Sequence, residues 1–340
     1  MIEKNSMELQ KGANDTAPIG PEAWMPCYIW PNPHIPFRLY YESDKCRIFI
    51  IENIQHNYLW MMKFRFGIKT TDHFFVMIGC HYHEALAEEA ARALELLGLP
   101  IAQFHILFND DRERSLFKKS GFGGALVNLN CFLDERRFFC DRGAEKLFSS
   151  IYVARLVDFK RHFLCSQLDN LALVAGDTHG SASKGYVPPF TYRNSRALSE
   201  NEVCEKINQS RSGLILSGTE GACFASSEYL LCGIPVISTP SEGGRSVWYD
   251  EYNSMIVDPD PGAVKDAVDY FSRHKRNPEI IRNSHISLSS VHRSNFIKLL
   301  AEILDSCGDE LASPTTYFNE NFYHKMRTSI APNFEVLFPS

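Results

Sequence analysis

Residues 214–244 read LILSGTEGACFASSEYLLCGIPVISTPSEGG. Leu214-Ile215-Leu216 is a short apolar run of the kind that forms a buried strand. A polar loop, Ser217 to Glu220, follows it. The spacing predicts a helix of about two turns beginning near Ala225. Gly233 stands where a helix ends in a left-handed C′ residue. Pro235 then opens a second apolar run, Val236-Ile237. Strand, helix and parallel strand make a βαβ unit, and ligands of such units sit at the carboxyl ends of the strands. The helix N-terminus offers unpaired N–H groups and the positive end of a dipole to an anion. Glu220 lies in the loop before this helix and Glu228 lies inside it. N–H groups for a diphosphate, flanked by two carboxylates for hydroxyls, suit a sugar nucleotide.

Upstream, Tyr152-Val-Ala-Arg155-Leu-Val-Asp-Phe-Lys160-Arg161-His162 places cations just past the end of another strand. Two or three cations at a strand end neutralise a diphosphate and stabilise it as a leaving group without a divalent metal. Arg161 and His162 are equally readable as a solvated helix start. Further strands are expected at Cys46–Ile51, Phe74–Ile78, Phe104–Phe108, Ala125–Val127, Ile151–Ala154, Leu171–Ala175 and Met255–Val257. Helices are expected at Glu84–Leu97, from Asn109-Asp110 through Phe117, at Ser199–Gln209, Pro261–His274 and Asn295–Leu304. Alternation of this kind is the mark of a parallel, doubly wound sheet.

The chain has 340 residues, which suggests two domains. With 44% hydrophobic and 22% charged residues, a wholly disordered chain is excluded. A net charge of −6 argues against a general nucleic-acid binder and leaves room for a local basic pocket. The ten cysteines form no CxxC pair and read as reduced thiols in a cytoplasm. His73, His81 and His83 lack a carboxylate or thiol at ligand spacing, so no metal is expected. His81 and His83 follow a strand end. Gly121-Phe122-Gly123-Gly124 precedes a strand where a dinucleotide motif would follow one, so it reads as a turn. Trp60, Met61 and Met62 read as core.

These segments together resemble the retaining, GT-B-fold nucleotide-sugar glycosyltransferases called family 4. That family has an E-x7-E motif, matched by Glu220 and Glu228. It has a C-G-x-P strand entry, matched by Cys232 to Pro235, and a G-G loop, matched by Gly243-Gly244. Its R-x4-K turn is matched by Arg155 and Lys160. The Ser199-Glu200 helix and the Asn128–Asp134 turn also match, so the likeness covers about residues 104–272. Cys223 stands where the family has a second glycine, Ala225 where it often has proline, and Arg161 where it has glycine. The family's glycine-rich loop near the N-terminus is not evident.

The resemblance implies an α/β protein of GT-B type, two Rossmann-like doubly wound domains facing a central cleft. An N-terminal acceptor-side domain would span 1–145, with an irregular extension over 1–40. A donor domain would span 146–312, and an aromatic-rich segment, 313–340, would pack back on the N-terminal domain. The implied activity is transfer of a sugar from a nucleoside diphosphate sugar to a glycan, lipid-linked or small-molecule acceptor, with retention and without metal or cofactor. Arg155 and Lys160 would bind the diphosphate and Glu228 the ribose hydroxyls. Glu220 would contact the sugar, with Gly221, Ala222, Cys223 and Phe224 beside it. His81 would touch the sugar from the first domain, and residues 187–194 would line the base. A cytoplasmic location is expected, with membrane contact no more than peripheral. An epimerase or phosphorylase of the same fold, or a non-catalytic sugar-nucleotide binder, is the alternative.

Overall fold

A computed structural model describes residues 37–79, 84–175, 185–326 and 333–339. The chain forms two compact units, residues 1–125 with 297–340, and residues 126–296. Expected site residue His81, and His83 with it, lie outside the described residues, as does the extension before Phe37.

The first unit holds a five-stranded sheet in sequence order: β1 (Phe37–Glu42), β2 (Arg47–Glu52), β3 (Asp72–Met77), β4 (Phe104–Phe108) and β5 (Gly123–Leu126). β1 folds back antiparallel on β2, while β2, β3 and β4 run parallel. Ile48, Phe49, Ile50 and Ile51 are all fully buried, the pattern of a strand covered on both faces. Helices α1 (Ile54–Phe64), α2 (Glu84–Leu97) and α3 (Asp111–Lys119) connect the strands. Asp110 caps α3 by accepting from the Glu113 N–H. α1 absorbs the Trp60–Met61 core cluster, although Met62 on its outer side is half-exposed.

An aromatic ladder crosses this sheet. Phe74 stacks on Phe49 at 5.2 Å and on Phe104 at 4.8 Å. The chain's last described residues close it. Phe338 lies 5.2 Å from Trp60, and Phe334 lies 4.7 Å from Phe37. Arg47 makes a two-pronged ion pair with buried Asp72 at 2.7 and 2.6 Å and also donates to the Leu337 carbonyl. A charge pair this deep is retained only with such complete bonding.

The second unit holds a six-stranded sheet in the order β11-β10-β9-β6-β7-β8. Its strands are β6 (Ser150–Val153), β7 (Leu171–Val174), β8 (Tyr192–Arg193), β9 (Gly213–Ile215), β10 (Val236–Ser238) and β11 (Ser254–Ile256). All its strand pairs are parallel. The order reverses between β6 and β9, the Rossmann arrangement, and the carboxyl ends of two such strands are where folds of this kind open a crevice. Helices α4 (Glu200–Asn208), α5 (Phe224–Leu231), α6 (Pro261–Arg273) and α7 (Pro278–Ser306) flank it. Ser199 and Glu202 form a reciprocal capping box on α4. α7 runs 29 residues where the sequence suggested only its last third. Its first half is rich in Ser and His, weak helix formers, and tertiary burial of His285, Ser289 and His292 overrides that propensity. Two short helices, α8 (Pro314–Glu320) and α9 (Phe334–Leu337), close the chain. No helix among the described residues is long and apolar enough to cross a membrane.

Replacing Phe338 by Ala empties a site between Phe49 and Trp60. Urea unfolding should show a loss of about 3–5 kcal/mol, the range for buried phenylalanines. A loss under about 1 kcal/mol would remove the tail from the core of the first unit.

Candidate functional site

The second unit brings two motifs from distant sequence to one place. β6 ends at Val153, and the chain turns through Arg155 into a short 3-10 turn, Asp158–Lys160. β9 ends at Ile215 and leads into the Ser217–Glu220 loop. Lys160 Nζ forms an ion pair with Glu220 Oε1 across this gap. The other carboxylate oxygen, Glu220 Oε2, accepts from Ser217 Oγ at 2.6 Å and lies 3.7 Å from Arg245 Nη1. Burial opposes ionisation of Glu220, but Lys160, Ser217 and Arg245 outweigh it and hold the carboxyl below its ordinary range.

Arg245 escaped the sequence reading, although it directly follows Gly243-Gly244. It is 1% exposed, and its guanidinium donates to Ser217 Oγ at 2.7 Å, to the Ser217 carbonyl at 2.8 Å and to the Thr239 carbonyl at 3.0 Å. It therefore ties together the chain leaving β9 and the chain leaving β10. The loops also pair directly: Glu220 N–H donates to the Glu242 carbonyl at 3.1 Å, and Glu242 N–H to the Gly218 carbonyl at 3.0 Å. Gly243 has φ 117°, and a Cβ there would sit 1.7 Å from the Glu220 carbonyl oxygen. Only glycine permits this approach.

Asn128 and Asn130, the turn that resembled the family's linker entry, act as braces. Asn130 Nδ2 donates to the Ala222 carbonyl at 2.8 Å, the Cys223 carbonyl at 3.1 Å and Ser227 Oγ at 2.9 Å. Asn128 donates to the Gly244 carbonyl at 2.8 Å and accepts from Trp248 Nε1 at 3.1 Å. Gly221 and Ala222 are buried and Phe224 begins α5. Cys223, before it, adopts a left-handed conformation with φ 58°, a region that glycine enters without strain. Desolvation first, then Glu220, push its thiol up to about 12, so it stays protonated. Glu228 sits in α5 and is 6% exposed.

Arg155 is exposed, and its guanidinium has no hydrogen-bond or ion-pair partner among the described residues. Arg161 takes a left-handed turn, φ 53°, and lays its guanidinium against Gly218, where a Cβ would meet Nη2 at 1.9 Å. It thus points into the same loop rather than into solvent. His162 is no solvated helix start: it is 2% exposed, packs 4.7 Å from the Tyr152 ring, and leaves both ring nitrogens without a partner. Burial first, then Lys160, hold its imidazole down to about 4. Asn194, at the edge of residues 187–194, pairs with both the N–H and the carbonyl of Ala175 at 2.8 Å, just past β7. No cluster of three His, Cys, Asp or Glu positioned to hold a metal ion occurs among the described residues.

Solved structures share this architecture at low identity. Sucrose-phosphate synthase from Thermosynechococcus elongatus is 14% identical, with 73% of this chain and 69% of that chain covered and a TM-score of 0.53. The α,α-trehalose 6-phosphate synthase from Burkholderia multivorans is 12% identical over 78% and 73%, with a TM-score of 0.52. HepE of Anabaena, solved in complex with UDP and glucose, is 12% identical over 69% and 72%, with a TM-score of 0.50. No model of a protein family matches the chain. No curated protein matches it either. The fold is GT-B, an α/β class with a largely parallel sheet in each of two units.

Two outcomes follow from this geometry. Gly243→Ala should destabilise the protein by about 1–3 kcal/mol in denaturant unfolding, because the paired loops must separate. Because the His162 pKa is lower folded than unfolded, the unfolded chain binds the proton first. Its contribution is intact above the ordinary value near 6.5 and is lost as pH falls from there to about 4. His162→Phe should flatten the fall of stability across that window by up to about 1.4 kcal/mol per pH unit. An unchanged pH profile would mean that His162 is hydrated.

Proposed function

We propose that the second unit binds a nucleoside diphosphate sugar and that the protein transfers the sugar to an acceptor with retention of anomeric configuration. The observation that carries this reading is the Lys160–Glu220 ion pair at the β6/β9 reversal, with an exposed Arg155 in the same turn after β6 and without a partner among the described residues. A diphosphate entering there competes with Glu220 for the Lys160 ammonium. Arg155 supplies a second charge and Arg161 a third. Cations of this kind neutralise the charge that develops on a departing diphosphate, the role a divalent metal plays elsewhere. Glu220, released from Lys160 but held by Ser217 and Arg245, is then available to sugar hydroxyls. Glu228 accepts from the ribose, and the backbone of Gly221 to Phe224 lies against the sugar. HepE's complex with UDP and glucose supports a sugar-nucleotide ligand for this fold.

In the reaction, the bond between the anomeric carbon and the diphosphate oxygen breaks while the acceptor oxygen bonds to that carbon on the same face. The acceptor's proton passes to the leaving diphosphate. The acceptor is a glycan, a lipid-linked sugar or a small molecule, and the reaction belongs in the cytoplasm or at a membrane's inner face.

Saturating UDP, GDP, dTDP or ADP should raise the melting temperature, since about 100-fold excess over Kd adds about 2.7 kcal/mol. No shift with any of the four would overturn the reading. Lys160→Ala and Glu228→Ala should each cut acceptor-dependent release of nucleoside diphosphate by about 10²–10³ or more while circular dichroism stays native. The double variant Lys160→Gln with Glu220→Gln removes the ion pair, while Arg245 keeps its hydrogen bonds to Ser217 and to the Thr239 carbonyl. It should keep the fold and still lack activity. Wild-type turnover in these variants would sink the assignment.

A further inference from the structure

A second charged site lies in the same unit, at the amino ends of the strands and away from the Lys160–Glu220 end. A cavity of about 260 Å³ opens there beside the segments entering β6, β9 and β10. Five cations line it: Arg142, Lys146, Arg211, Lys275 and Arg276. Asp141 is the one acid among its lining residues. The excess runs against the chain's net charge of −6.

Helices end at this side of the sheet, and cations commonly neutralise helix C-termini. That role is already filled. Lys146 Nζ donates to the carbonyls of Asn208 at 2.7 Å and Ser210 at 2.9 Å, closing α4. Arg282 donates to the Leu231 carbonyl at the end of α5. Arg142 is paired with Glu279 at 2.9 Å. The remaining cations are not so spent. Arg211 and Lys275 have no side-chain hydrogen bond or ion pair among the described residues. Arg276 is wedged among the rings of Tyr252, Tyr270 and Phe271; its Nη2 donates to the Tyr270 hydroxyl at 3.3 Å, and its buried Nε has no partner. A buried N–H left unpaired is costly, and an oxyanion can accept from it together with the solvent-facing donors of half-buried Arg211 and exposed Lys275. Ile234, Pro235 and Phe271 add an apolar wall beside the cations.

We propose that this cavity is a binding site for a small phosphate ester. Its phosphate sits among Arg211, Lys275 and Arg276, and its short carbon body lies on Ile234, Pro235 and Phe271. The assignment is independent of the donor reading, because the two sites share no residue. The test is calorimetric titration of the whole protein with orthophosphate and with glycerol 3-phosphate, at fixed ionic strength. Saturable binding is expected, tighter for the ester. It should survive Lys160→Gln, and Arg211→Gln with Lys275→Gln should weaken it by at least about tenfold at an unchanged melting temperature. Loss in the Lys160 variant with retention in the double variant would move the anion to the donor end and overturn the proposal. Equal affinity for sulfate, orthophosphate and the ester would mark an unspecific basic patch, and so would the absence of saturation.

Discussion

Tyr229 seats α5 on the sheet, and the site depends on that seat. Its ring lies over Gly213, where a Cβ would come within 2.1 Å of it, and its hydroxyl accepts from the Val153 N–H at 2.7 Å. Gly213 opens β9 and Val153 closes β6, so one fully buried side chain touches both strands at which the sheet order reverses. A larger residue at 213 would lift α5 away. The loop before α5 would then lose its register against the turn after β6, and Lys160 would no longer meet Glu220.

Around that seat the polar groups form a connected set, with the Arg245 Nε left without a partner among the described residues. Arg245 is buried, yet it is matched by Glu220, Ser217, Ser238 and two carbonyls. Glu220 in turn holds Lys160. A buried charge persists only when its partners are in place, so each group here fixes the next before any ligand arrives. Arg155 and Arg161 stand apart from the set, one exposed and one laid along Gly218.

The first unit is built by different means. Its sheet keeps sequence order, with no reversal among the described strands, and therefore no switch point of its own. Stability there comes from stacked aromatic rings and from the tail, whose Phe334 and Phe338 cover α1 and the start of the sheet. The Arg47–Asp72 pair ties that tail in through the Leu337 carbonyl.

Much of this was legible in the residue pattern because it is local. The Ala/Leu/Glu run of α2, the Asp110 and Ser199 caps, the buried strands and the Gly233 terminus all follow from periodicity and end chemistry. Glu220, Glu228, Arg155 and Lys160 stood out as two motifs, but nothing in their spacing says that residues 60 positions apart form an ion pair. Contacts across that distance are made by strand order, which the chain encodes only through packing. Arg245, Asn128 and Asn130 were invisible as site residues for the same reason: each acts on loops from other parts of the chain. The first half of α7 and the burial of His162 were hidden because local propensity and polarity pointed the other way. The sequence by itself determined the elements and the chemistry at their ends; only the tertiary structure, by reversing the sheet between β6 and β9, decided which of those ends meet.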